Sequence, residues 1–137
     1  MAMEDNNSTS TKLHTYGALP FYQIHFVVKG DGKMFEEMLL ARTRKRVKGV
    51  LKKSVEDVWW EGGKIVERLN NDSRLKHLLL SVLKGEDDIF IDPVENAVRI
   101  YTRFKMESDV TRHLSKEAIE AYNIIAGYVK SIMREFE

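Results

Sequence analysis

Ala97-Val98-Arg99-Ile100-Tyr101-Thr102-Arg103-Phe104-Lys105 changes chemical character at every second residue. A strand turns successive side chains to opposite faces. Val98, Ile100, Thr102 and Phe104 then line one face, and Arg99, Tyr101, Arg103 and Lys105 the other. The first set is an ordinary core face. The second interleaves cations with an aromatic ring, a chemistry that suits a phosphate chain carrying stackable bases. The competing reading is the solvated outer face of an antiparallel sheet. A second basic element favours the former: from Arg42 to Lys53 the chain carries Arg42, Arg44, Lys45, Arg46, Lys48, Lys52 and Lys53 with no acid among them.

Outward from this strand, Asp92-Pro93-Val94-Glu95-Asn96 has turn composition and Ile89-Phe90-Ile91 reads as a short strand, so the two strands form a hairpin. A further strand spans 21–28, with Tyr22, Ile24, Phe26 and Val28 on one side and Gln23 and His25 on the other. A helix is expected from Lys33, where Phe35, Met38 and Leu39 recur at helical spacing, and on through the basic run, where Leu40, Val47, Val50 and Leu51 continue an apolar stripe. In that helix Arg44, Lys48 and Lys52 stand four apart, as do Arg42 and Arg46.

Ser54, followed by Glu56 and Asp57, reads as the cap of a second helix with Val55, Val58, Trp59, Ile65, Val66 and Leu69 on one side, interrupted at Gly62-Gly63. A short apolar helix over 75–83 ends at Gly85, and a long one runs over 115–136. The fold expected is α+β: a small antiparallel sheet of about three strands with helices on one face. Residues 1–15, rich in Asn, Ser and Thr, read as a flexible tail, and 16–137 as one domain.

The 137 residues carry a net charge of +1, which conceals an asymmetry. Residues 1–53 hold ten Lys/Arg against five Asp/Glu, and 54–137 hold twelve against sixteen. The basic half suits a polyanion, while the acidic half limits nonspecific adhesion. There is no cysteine, which removes disulfides, thiolate metal sites and thiol nucleophiles. With no apolar run of spanning length and no basic-then-apolar leader, the expected location is the cytoplasm and no membrane partner is expected. A single Gln (Gln23) beside many Lys, Arg and Glu residues hints at a thermophilic source.

Catalysis finds little support. His14, His25, His77 and His113 are scattered without metal-ligand spacing. Glu86-Asp87-Asp88 and Asp92 resemble a nuclease carboxylate cluster but flank a strand and a turn, where acids solubilise and cap. Gly30-Asp31-Gly32 lacks the Lys-Ser/Thr of a phosphate-gripping loop. No metal, no cofactor and no enzymatic activity are expected.

The candidate binding set is therefore Arg99, Arg103 and Lys105 for phosphates and Tyr101 for stacking, with His25 on the polar side of its own strand. Arg42, Arg44, Arg46, Lys48 and Lys52 would make a second wall, where packed cations without acidic partners repel one another unless phosphates offset them. Trp60, off the apolar stripe near Lys64, reads as a stacking platform or as a buried ring. In the last helix, Ala118, Tyr122, Ile125, Val129, Ile132 and Phe136 are spaced as a heptad seam, with further apolar residues beyond it. That seam is read either as a core face or as pairing with a second subunit.

In size, in this helices-plus-sheet body, in its mixed basic and aromatic residues and in the C-terminal helix 115–136, the chain resembles the archaeal ThermoDBP-type single-stranded DNA-binding proteins. The resemblance is architectural and implies sequence-tolerant binding of single strands in a basic-rimmed cleft by a homo-oligomer. The expectation is non-catalytic binding of single-stranded DNA or RNA. Two alternatives remain: a winged-helix-like duplex DNA binder, from three helices followed by the hairpin 89–104, and a structural or assembly protein, viral among the options. Against the first, the helix preceding the hairpin is too apolar to read a groove.

Overall fold

A computed structural model describes residues 2–3, 7–16, 19–51, 54–85, 87–104 and 108–136, with side chains from Tyr22 onward within that set. Lys52, Lys53, Glu86 and Lys105 lie outside the described residues. The strands are β1 (Ala2–Met3), β2 (Asn7–Tyr16), β3 (Leu19–Lys29), β4 (Ala41–Lys48), β5 (Ser54–Gly62), β6 (Asp88–Pro93) and β7 (Ala97–Phe104). They form one antiparallel sheet in the order β1-β2-β3-β7-β6-β4-β5. The helices are α1 (Glu36–Leu39), α2 (Ile65–Asn70), α3 (Ser73–Val82), α4 (Asp109–His113) and α5 (Lys116–Glu135). No helix among the described residues is long and apolar enough to cross a membrane.

The alternation of β7 sets the layers. Val98, Ile100 and Thr102 are buried opposite Val28, Phe26 and Ile24 of β3, and Ile89 and Ile91 of β6 continue the same face. Helix α5 lies on this face and buries Ala118, Tyr122, Ile125, Val129 and Ile132 there. Tyr122 stacks on Phe26 with ring centroids 5.9 Å apart. Its hydroxyl shares a 2.8 Å hydrogen bond with Thr102 Oγ1, so this buried polar pair satisfies itself. Burial pushes the Tyr122 phenol up to about 12, which keeps it neutral. Helix α3 adds Leu75, Leu78, Leu79 and Val82 to the core. Asp72 caps it by accepting from Leu75 N–H at 2.8 Å and ties it to α5 by accepting from Tyr128 Oη at 2.6 Å.

The α+β class, the hairpin and the long C-terminal helix match the sequence reading, but the sheet is wider than three strands. β3, β7, β6, β4 and β5 make a five-stranded body that β2 and β1 extend. β2, which takes in residues 7–15 of the stretch read as a tail, pairs along its length with β3. Residues 41–48 and 54–62 are a β-hairpin and not two helices. Thr43, Val47, Val55, Val58, Trp59 and Trp60 give these segments β-branched and aromatic weight, and pairing against β6 turns it into strands.

Gly62-Gly63 is where β5 ends and the chain turns into α2. Gly62 has φ +140°, and a Cβ on Gly63 would stand 2.3 Å from Glu37 O, so neither position tolerates a larger residue unstrained. Residues 41–48 and 54–62 form strands, so the β4–β5 hairpin stands between α1 and α2 where the sequence reading has continuous helices. At the β5 edge, Asn70 accepts from Trp60 N–H at 2.8 Å and donates to Trp60 O at 3.0 Å, closing part of an edge that would otherwise invite another strand.

Candidate functional site

The sheet face turned away from the helices collects the alternate side chains of β3, β7, β6, β4 and β5. His25, Tyr101 and Phe90 stand opposite one another on three neighbouring strands. Their ring centroids are 5.4 Å apart (His25 to Tyr101) and 5.2 Å apart (Tyr101 to Phe90), with interplanar angles of 21° and 18°. Three guanidiniums lie over these rings. Arg42, opposite Phe90 on β4, has Cζ 4.8 Å from the Phe90 centroid; Arg103 is 5.5 Å from the same ring, and Arg99 is 5.1 Å from that of Tyr101. All three are within cation–π range. A groove of about 930 Å³ opens beside this row, walled by Phe90, Tyr101 and Leu40, by Arg42 and Arg44, and by the acids Glu36, Glu37, Glu61 and Asp92.

The strand period does what a helical period does not: Arg42, Arg44, Arg46 and Lys48 all fall on the outer face, the same one that carries Arg99, Tyr101 and Arg103. The two basic elements of the sequence are therefore one surface. A basic helix as a second wall is corrected to a basic strand in the same wall. Its cations also have acidic partners, contrary to expectation, drawn from β5 and β6. Arg42 pairs with Asp88 at 3.2 Å, Arg44 with Glu61 at 2.9 Å, Arg46 with Glu56 and Asp57 at 3.6 and 3.7 Å, and Lys48 with Glu56 at 3.6 Å. On β7, Arg99 pairs with Asp92 at 2.6 Å. The pairs of Arg44, Arg46 and Lys48 are exposed, so salt screens them and a phosphate competes with them. The Arg44 hydrogen bond, helped by the Trp59 indole N–H, holds the Glu61 carboxyl below its usual range.

Three further placements revise the sequence reading. Trp60 is 4% exposed on the helix-covered face, a core ring and not a stacking platform. Its neighbour Trp59 takes the outer face instead, half-buried opposite Arg44. His25 belongs to the outer face but is only 5% exposed; it flanks Tyr101 from the neighbouring strand and shares a 2.6 Å hydrogen bond with Gln23 Oε1. Phe90 and Trp59 were missed as site residues. Period-two reading signals both: Phe90 lies between the inward Ile89 and Ile91, and Trp59 between the inward Val58 and Trp60.

The acids at 87 and 88 hold buried cations. Asp87 Oδ2 accepts from Arg112 Nη1 at 2.6 Å and His113 Nε2 at 3.0 Å. Asp88 accepts from Thr43 Oγ1 at 2.9 Å and Lys45 Nζ at 3.2 Å, and Lys45 is almost wholly enclosed. Burial raises the Asp87 carboxyl, but His113 and Arg112 outweigh it and hold the group below its usual range. Among the described residues no group of three His, Asp or Glu side chains is placed to hold a metal ion. Comparison with protein-family models, with curated proteins and with solved structures gave no match to this chain.

Proposed function

We propose that this protein binds single-stranded nucleic acid, without catalysis, across the outer face of its sheet. The observation that carries the reading is the Tyr101–Phe90 row with Arg42, Arg99 and Arg103 over its rings. Flat rings on adjacent strands offer successive bases a surface that any base can use once the guanidiniums lying over them swing aside to meet the phosphates between. Such binding is tolerant of sequence because every base has a π-face. Arg44, Arg46 and Lys48 extend the cationic track along β4. A duplex keeps its bases stacked within itself, so it gains only the phosphate part of this surface. DNA and RNA share the chemistry invoked.

The test is fluorescence anisotropy with single-stranded and duplex oligonucleotides of equal length at two salt concentrations. The reading requires tighter binding of single strands at both. Equal or weaker binding of single strands overturns it.

A further inference from the structure

The β4–β5 hairpin ends in an apolar tip that the fold does not use. Val50 and Leu51 are 92% and 98% exposed, and neither joins the core. Gly49, with φ +108°, turns the chain into this tip. Just before it, the register shift between Arg46 and Val47 adds local twist. The charge around the tip is one-sided: between 46 and 56 the sequence has Arg46, Lys48, Lys52 and Lys53 against the single acid Glu56. The Arg46 and Lys48 side chains are themselves well exposed, and their pairs with Glu56 are long.

Aliphatic side chains held in water are unfavourable unless something covers them. The flanking cations specify an anionic cover. β4 is also the strand that brings Arg42 beside Phe90, so its end at Lys48, where the tip begins, lies roughly 20 Å further along, at about 3.3 Å per residue. Two aliphatic side chains are too few to anchor a protein on a lipid surface, yet enough to fill the space between two bases. Resting on the nucleic-acid reading above, we infer that Val50 and Leu51 form a wedge. It enters between two successive bases of the bound strand while Arg46 and Lys48 hold the phosphates on either side. Apolar side chains inserted in this way separate neighbouring bases.

The experiment uses the full chain, the V50S/L51S variant and oligonucleotides carrying 2-aminopurine, a base that brightens when it loses its stacking neighbours. Both positions are exposed, so the variant keeps the wild-type thermal midpoint. Wild-type binding is expected to raise the fluorescence. The variant is expected to lose most of that rise and roughly tenfold in affinity, about what burying one aliphatic side chain contributes. The salt slope stays unchanged, because no cation has been removed. Wild-type binding without a rise, or a variant that matches wild type, overturns the wedge and leaves the sheet-face reading standing. A wild type that binds no oligonucleotide overturns both.

Discussion

Replacing Tyr101 with Ala removes the central ring of the outer face while leaving the inward residues Ile100 and Thr102 in place. Single-strand affinity should fall by about 1–3 kcal/mol, the usual worth of one stacked base, and Tyr101→Phe should restore it, since the ring is what matters. Phe90→Ala should cost a similar amount and also release Arg42 and Arg103 from their shared ring. Anisotropy titrations check both; binding by Tyr101→Ala at wild-type strength would remove Tyr101 from the site. A different residue governs stability. Asp87 holds Arg112 and His113 in a nearly closed pocket, and Arg112 also keeps Asp109 at 2.8 Å, so Asp87→Asn should cost about 1–3 kcal/mol by replacing a charged acceptor with a neutral one. Its carboxyl is depressed in the folded state. The stability it adds is therefore full above the unfolded value, near pH 4, and is lost as pH falls through the lower folded value. Urea midpoints across that range should fall in wild type, and this component should be missing in Asp87→Asn.

Strand β4 shows how far the sequence could be read. Arg44, Lys48 and Lys52 fit a spacing of four, and Arg42, Arg44, Arg46 and Lys48 fit a spacing of two equally well. Composition between Thr43 and Trp60 favours strands, but what decides the matter is a long-range partner, β6, more than forty residues away in sequence. By contrast β7 was legible because inward Val98, Ile100 and Thr102 leave one period that fits. Changing Arg44, Arg46 and Lys48 together to Gln should weaken binding to all sequences alike and flatten the slope of log affinity against log salt by up to about 2, at about 0.7 for each phosphate contact on single strands. An unchanged slope would make these cations partners of Glu56 and Glu61 alone. Helix α5 had a parallel ambiguity, because a heptad seam and a core-facing stripe are the same pattern. Here Ala118, Tyr122, Ile125, Val129 and Ile132 are spent within the subunit, while Phe136 of the same seam is half exposed. Ile125→Ala should accordingly lower stability by about 2–5 kcal/mol with no change of particle mass in sedimentation.

The whole molecule divides its labour between the two faces of one sheet. The inner face and the helices hold the core, and the outer face carries rings and cations that the core does not need. Neither the width of the sheet nor the merging of two basic segments on one face could be read from the sequence, since both depend on β6 and β7 inserting between β3 and β4. The direct test of that division is to map, by backbone and aromatic NMR shifts, where a short single-stranded oligonucleotide touches the protein. The shifts should gather on Arg42, Phe90, Arg99, Tyr101 and Arg103, with α3 and α5 quiet. Shifts centred on those helices, or none at saturating oligonucleotide, would contradict the sheet face as the binding surface.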